Sequence, residues 1–385
     1  MKRVGTALLI LWLTASGAAL ADPAAPLEEI RDLLRQRMFE APPEAALAAL
    51  RAGDLNSGLA DLDPYAHHFP SREAARRDLD QRAWTGIGAD LRFVDDQVWL
   101  HVYQGGPAHR AGLPERIRLL DIDGHPVAGH EANELLQSLR GEAGSRLVLT
   151  WQTAGWDTPR QTTTLIRERF TPLDVELVEP WGRGVLRVRD FLAGRTRPAL
   201  MATLDFLERI DPDAGGRQVP LVMDLRDAVG GDLYEALDLA GLFLPPGTSL
   251  GSLMARGGQV RDFQAPQGEK LAMPLVLLVG PETASAAEVF AGILQHHGRA
   301  YLVGQPTFGK CSSQTDRRLS DGSVLRFTNR EVLLPDGQSC TGRGLTPETV
   351  VGEAVLRDLP RLMSLAMAGQ AVRGDADAGR ESSVQ

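Results

Sequence analysis

Apolar residues recur along this chain with two different periods, and the changes of period divide it into regions. From Leu27 to about Arg77 they are spaced for one face of a helix, first at Ile30, Leu33, Leu34 and Met38, then again from Ala45 to Leu50 after Pro42-Pro43. The stretch "LADLDPYAHHF" predicts a helix end that turns at Asp63-Pro64. From Trp84 to Gln152 the pattern becomes short strands punctuated by glycine: "TGIGADLRF", "QVWLHVYQGGPAHRAGL", "RIRLLDIDGHPV" and "RLVLTWQ". One helix lies among them, "HEANELLQSLRG", with Leu135, Leu136 and Leu139 on one side.

Beyond this region, strands and helices alternate. "GVLRVRDF", "VPLVMDLR", "PLVLLVG" and "RAYLVGQ" read as strands. "GDLYEALDLAGLFL" reads as a helix stacking Leu233, Leu237 and Ala240, and "SAAEVFAGILQHH" as one turning Val289, Phe290, Ile293 and Leu294 inward. Near-continuous apolar strands between amphipathic helices predict an α/β fold with a covered, largely parallel sheet. The closing "VRGDADAGRESSVQ" reads as a frayed polar tail.

At the other end, Lys2 and Arg3 precede an apolar run from Val4 to Leu13 and small residues ending in Ala19-Leu20-Ala21. This is the pattern of a signal peptide cut before Asp22. A bilayer span needs about 20 apolar residues in a row, so no integral membrane anchor is expected after processing. The expected organisation is a signal peptide at 1–21, a helical region at 22–83, a β-rich module at 84–152, a core at 153–366 and a disordered tail at 367–385. The expected location is exported, periplasmic or secreted.

Composition narrows the function classes. The 385 residues carry 41 Lys+Arg against 50 Asp+Glu, a net charge of -9, which argues against nucleic acid as a partner. Two cysteines, Cys311 and Cys340, lie in the exported part. An even count in an oxidising compartment favours one disulfide, worth roughly 3–4 kcal/mol for a loop of this length, with two unpaired thiols as the alternative. Almost every basic residue is arginine; after the leader only Lys270 and Lys310 are lysine.

Several motifs suggest chemistry that their context does not support. "GQPTFGKC" nearly fits a phosphate-cradling loop, but Cys311 stands where the Mg²⁺-binding hydroxyl belongs and no helical period follows. "HEANE" lacks the second histidine of a zinc helix, and the pairs His67-His68 and His296-His297 cannot share one helix face. No metal or other cofactor is expected. No G-x-S-x-G elbow occurs either.

Ser285, in "GPETASAAEVFAG", starts a helix after an apolar strand. A serine there serves as an N-cap, or its Oγ stands beside helix N–H donors able to receive an oxyanion. As a nucleophile it would need a base. Arginine does not give up its proton, whereas a buried lysine can. Lys310 has a glycine-flanked, apolar setting suited to that; Lys270, in "PQGEKLAMP", reads as an exposed turn. Gln314 follows Lys310 by four residues and so shares its face on strand or helix.

With these residues the chain resembles the carboxy-terminal processing peptidases, or tail-specific proteases, from about Leu62 to Val351. "LDPYA" is similar to their LDP-[HY]-S segment, and "GIGADL" followed by "GGPAHRAGL" to their inserted PDZ module. "VMDLRDAVGGDLYEALDLAGLFLPPG" resembles their D-L-R-x-N-x-G-G strand-turn-helix, and "TASAAEVFAGILQHHGRAYLVGQPTFGK" the serine block running into T-F-G-K-G. "LLPDGQSCTGRGLTPETVV" resembles their closing segment. The resemblance implies a layered βα peptidase core of the crotonase/ClpP-like type, with an N-terminal helical segment and an inserted PDZ domain. It implies Ser285 as nucleophile, Lys310 as base, Gln314 as orienting residue, and N–H groups of Gly231 and Ala286 as the oxyanion hole. The "GIG" loop, Gly86-Ile87-Gly88, would take a substrate's terminal carboxylate.

Three departures stand out. Ala228 replaces the motif's asparagine, the G-D turn after "AGL" is changed around Arg116-Ile117, and Cys311 replaces the glycine after the lysine. A Cys311–Cys340 disulfide would hold the Lys310 segment in register. The expected function is that of an exported serine endopeptidase acting on proteins with accessible C-termini, with an adaptor protein left open as a partner. The alternative is a catalytically silent PDZ-containing peptide-binding protein on the same scaffold.

Overall fold

The structure, a computed structural model, describes residues 26–71, 84–94, 97–103, 105–130, 132–153, 158–170, 173–178, 185–210 and 220–369. The expected leader at 1–21 and most of the expected tail lie outside them. Among the described residues no helix is long and apolar enough to cross a membrane.

A six-stranded sheet forms the centre, in the order Val175–Val178, Val185–Val188, Leu221–Asp224, Leu275–Val279, Ala300–Gly304 and Thr349–Val350. The first pair is antiparallel and the rest parallel. All five side chains of Leu275–Val279 are fully buried, and the pleat deals them to opposite faces. Leu275, Leu277 and Val279 join one core with the helices Thr196–Ile210, Leu233–Gly241 and Ala286–His296. Val276 and Leu278 join the other, against Leu356, Leu362 and Ala366. Each such side chain contributes roughly 1.5–3 kcal/mol on leaving water. The inward positions read from the sequence hold: Val289, Phe290, Ile293 and Leu294 are all buried, as are Leu237 and Ala240.

A second sheet was not legible in the pattern. It is antiparallel, runs His67–Phe69, Val324–Leu333, Ser249–Ala255, Val260–Gln264, and carries Ser312–Arg318 on the long strand. Two of its strands, "SSQTDRR" and "VRDFQ", are polar and partly or largely exposed, so they lack the apolar run that marks a covered strand. The fold is therefore less parallel than expected. The helical reading of 27–77 also shortens: helices span Leu27–Arg37, Glu44–Ala49 and Leu55–Leu62, and His67–Phe69 then pairs as a strand with Val324–Arg326. The expected turn at Asp63-Pro64 is where this change occurs. The helices pack Ile30, Leu34, Leu47 and Leu59 against Leu325 and Phe327 of the second sheet.

The β-rich module has a separate core that includes Leu100, Ile117, Leu147 and Leu149. Its sheet runs Ala89–Val94, Gln97–Val102, Arg116–Ile122, Arg146–Gln152, Gln161–Ile166, all antiparallel. The last strand lies past residue 152, where the sequence pattern weakens to "QTTTLI". The strands that lead in and out, Trp84–Gly86 and Glu168–Phe170, pair with each other as a neck.

Candidate active site

Strand Leu275–Val279 delivers the chain to Ser285, which sits at the N-terminus of helix Ala286–His296 with φ 57° and ψ -123°. Only Ser285 and Asp123 hold positive φ among the described non-glycine residues. Such a backbone costs on the order of 1–3 kcal/mol and persists only where its surroundings impose it. Here they do. Ala284 N–H donates to the Ala228 carbonyl (2.9 Å), and Thr283 Oγ1 accepts from Gly280 N–H (2.9 Å) while donating to the Leu225 carbonyl (2.8 Å). A Cβ on Gly230 would lie 2.6 Å from Ser285 Cβ, and one on Gly231 2.3 Å from the Phe191 carbonyl oxygen. The Gly230-Gly231 turn is thus pressed between Ser285 and the strand Asp190–Phe191. Ala228, the departure from the family motif, is fully buried and tied through its own backbone.

One turn into the helix, Glu288 is fully buried. Its carboxylate accepts the N–H of Ser285 (3.0 Å), Gly309 (2.7 Å) and Lys310 (2.7 Å), and the hydroxyl of Thr307. One side chain therefore joins the backbone of the serine to the backbone of the lysine. Sequence reasoning gave Glu288 no role. The signal was present, since a Glu three residues past a serine N-cap is half of a capping box.

Lys310 is mostly buried, and burial lowers its pKa; Arg326 lowers it further, while Asp63 and Glu288 act the other way. Its Nζ stands over the ring of Tyr65, 4.4 Å from the centroid. Tyr65 belongs to "LDPYA", and Asp63 of that segment holds it in place, accepting Tyr65 N–H (2.9 Å) and Thr328 N–H (2.7 Å). Cys311 is bonded to Cys340, with Cα atoms 5.3 Å apart, so the residue after the lysine is covalently tied to the closing segment. Lys270 behaves differently from both Lys310 and its sequence reading. Rather than lying exposed, it is half-buried, and its ammonium donates to the carbonyls of Gly241 (2.6 Å) and Pro266 (2.8 Å). Gln314 Nε2 donates to Ser312 Oγ and Thr328 Oγ1, both at 3.0 Å.

Ser285, Ala286, Gly231, Lys310, Gln314 and Tyr65 all line one cavity of about 660 Å³. Gly86, Ile87 and Gly88 do not; they lie at the start of the module's sheet. The Ile87 and Gly88 carbonyls accept Ala108 N–H (2.8 Å) and Tyr103 N–H (2.9 Å). Gly88 has φ 69°, and a Cβ there would meet Pro107 Cδ at 2.7 Å. The near-phosphate loop, Gly304 to Cys311, runs into a strand and not a helix, which removes the geometry that motif needs. His130 pairs with Glu134 (3.0 Å).

The module meets the centre through charges. Arg187, on the sheet, contacts Glu115 of the module and Asp224 (3.3 Å); Arg226 also holds Asp224 (2.8 Å). Burial alone would raise the Asp224 pKa, but the Arg226 and Arg187 guanidiniums hold it well below the usual carboxylate range. Arg189 donates to His101 Nε2 (2.9 Å) and to Glu176 (3.1 Å). Burial, then Arg189, pushes the His101 pKa down to about 4, against the opposing pull of Asp227 and Glu115. Asp227 belongs to the same "DLRDAVGG" turn that carries Gly231.

Comparison with known proteins agrees with this architecture. Residues 183–351 match the model of Peptidase family S41. The "Probable CtpA-like serine protease" of Staphylococcus aureus is 28% identical over 312 residues, 79% of this chain; the chain spans 59% of that relative's length. The "Carboxy-terminal-processing protease" of Bartonella bacilliformis is 29% identical over 300 residues, 77% of this chain and 68% of the relative. Among solved structures, the photosystem II D1 C-terminal processing protease superposes with a TM-score of 0.59 at 25% identity, covering 88% of this chain and 96% of that one. A putative S41 protease from Bacteroides fragilis shares the fold, with a TM-score of 0.59 at 19% identity, covering 90% and 97%. The resemblance to the carboxy-terminal processing peptidases, first read from motifs, is shown by these relatives.

Proposed function

We propose that this S41-family chain is an exported serine endopeptidase that takes protein C-terminal tails on its β-rich, PDZ-like module and cuts upstream with a Ser285–Lys310 dyad. The observation that carries the reading is the joint placement of a strained serine and a desolvated lysine on one cavity, with Glu288 bonded to the backbone of both. Ser285 Oγ attacks the scissile carbonyl while neutral Lys310 Nζ takes its proton. The oxyanion falls between the Ala286 N–H, which as the first helical residue has no intrahelical acceptor, and the Gly231 N–H. Lys310 then gives the proton to the leaving amine, and water resolves the acyl-enzyme with Lys310 again as base.

Tyr65 acts on the same lysine. A ring face attracts the ammonium form and not the neutral amine, so deprotonation frees Nζ to turn toward Ser285. Gln314 has both Nε2 hydrogens engaged, which leaves its Oε1 to accept from the amine and fix its direction. Activity accordingly rises with pH as Lys310 loses its proton, over a range below that of an ordinary lysine. Export is supported by the leader pattern of residues 1–21 and by the disulfide. In the PDZ-like module, Gly86-Ile87-Gly88 would present N–H groups to the tail carboxylate.

The test uses the mature protein and its Ser285→Ala and Lys310→Ala variants on an unstructured polypeptide with an apolar carboxyl tail, with products followed by mass spectrometry. Cleavage by the wild type, lost at least a thousandfold in both variants and weakened by tail amidation, is expected. Tail binding without any cleavage by the wild type would instead establish a peptide-binding protein.

A further inference from the structure

Beside the cavity that holds Ser285 lies a second one of about 250 Å³, and the two share Tyr234, Leu253 and Arg330. Strand register explains the shared floor. Leu253 stands opposite both Arg261 and Val332, and Ala255 opposite Arg330, so these side chains emerge on one face of the second sheet. The row Leu253–Val332 lies on the Ser285 cavity; in the next row, one pleat repeat or about 7 Å on, Arg330 lines both cavities and Ala255 the second. Tyr234, near the start of helix Leu233–Gly241, forms the opposite wall and is 50% exposed; Val260 at the rim is 52% exposed.

The charge on this floor is unbalanced. Arg261 lies over the rings of Tyr234 (5.7 Å) and Phe263 (5.1 Å), which hold its guanidinium in place without neutralising it. Neither Arg261 nor Arg330 has a carboxylate within salt-bridge distance among the described residues, whereas Arg326 nearby is paired with Asp316 at 2.8 Å. Two uncompensated cations on an apolar floor are notable in a chain of net charge -9.

We infer that this groove is a substrate subsite, in which Arg261 and Arg330 select an acidic side chain at one fixed position within a few residues of the scissile bond. The inference rests on the endopeptidase reading and names its sequence preference: an extended polypeptide whose apolar side chain lies on Leu253 and whose Asp or Glu reaches the two guanidiniums. Carboxylate recognition by a fork-shaped donor set is the chemistry arginine serves best.

The test is a digest of a diverse mixture of unstructured peptides by the full mature chain, with residue frequencies around every cut read by mass spectrometry. The wild type is expected to enrich Asp and Glu at one position relative to the cut. Arg261→Gln and Arg330→Gln singly are expected to lower that enrichment roughly two- to fivefold, as partly exposed ion pairs do. Arg261→Glu/Arg330→Glu together is expected to replace it with Lys and Arg at the same position. The preference should also weaken as salt is raised. An active wild type whose profile matches that of the three variants, each shown folded by its thermal transition, would overturn the subsite while leaving the peptidase intact. A wild type that cuts nothing overturns the peptidase reading, and the subsite with it.

Discussion

Ser285 and Lys310 are joined by a fully buried carboxylate that takes backbone and hydroxyl donors, and a disulfide fixes the residue after the lysine. The module and the central sheet are joined by the alternating charges Glu115–Arg187–Asp224–Arg226 and by Arg189, which donates to neutral His101 and to Glu176. The first set of contacts is short-ranged and directional, and it tolerates no displacement. The second consists largely of longer-ranged ion pairs, which hold the module to the central sheet with less directional demand. Two side chains brought to one cavity and a seam between two separate cores are thus held by different materials.

The sharpest way to break the comparison is at Glu288. Glu288→Gln keeps the volume but points an NH₂ at groups that are themselves donors, leaving buried N–H unpaired at about 1–3 kcal/mol each. We expect a loss of kcat/KM of at least a hundredfold together with a lowered urea midpoint. Full activity in a stable variant would show that Glu288 does not hold the pair together.

Opening the disulfide comes next. Cys311→Ser/Cys340→Ser should lower stability by roughly 3–4 kcal/mol in the chain-entropy model. Activity should fall by more than the unfolded fraction accounts for, because the Lys310 segment loses its tether. Unchanged kcat in the folded, reduced protein would separate the bond from the lysine.

The seam should respond to acid through His101. His101 titrates near 6.5 when unfolded and near 4 in the fold, so the native state is favoured above pH 6.5. That stability is lost as pH falls towards 4, by on the order of 3 kcal/mol in total. His101→Gln should flatten the dependence of Tm on pH across that window. An unaltered slope would place the acid sensitivity elsewhere.

The smallest effect is expected at Glu115, which is half exposed. Glu115→Gln should cost about 1 kcal/mol or less of stability, because Arg187 keeps Asp224. Its effect on tail-dependent cleavage should exceed its effect on cleavage of a tail-less peptide. Equal effects on both would show that the seam carries no information between module and site.

Much of this molecule could be read in advance, and the reasons are local. The central strands announced themselves because both of their faces are covered, and the two helices because their inward positions repeat at helical spacing. The place of Ser285 at a helix start was legible from its position between strand and helix, and Lys310 was singled out as a candidate by the scarcity of lysine. Helix Thr196–Ile210 went unmarked although Leu200, Leu204 and Leu207 carry its spacing. Tyr65 meets Lys310 across 245 residues of chain and Glu288 meets it across 22, and of these contacts only the capping of Ser285 by Glu288 had a local signal.

The sequence by itself determined the covered central strands and the two helices packed on them, and it singled out Ser285 and Lys310 as candidates, because burial period and side-chain chemistry are properties of residues and near neighbours. Tertiary structure alone decided that polar strands far apart in the chain would form a second sheet, that one carboxylate would bind the serine and lysine segments, and that Arg261 and Arg330 would share a face. Those outcomes depend on strand register and on which buried donors lack partners, and neither quantity exists until distant segments meet.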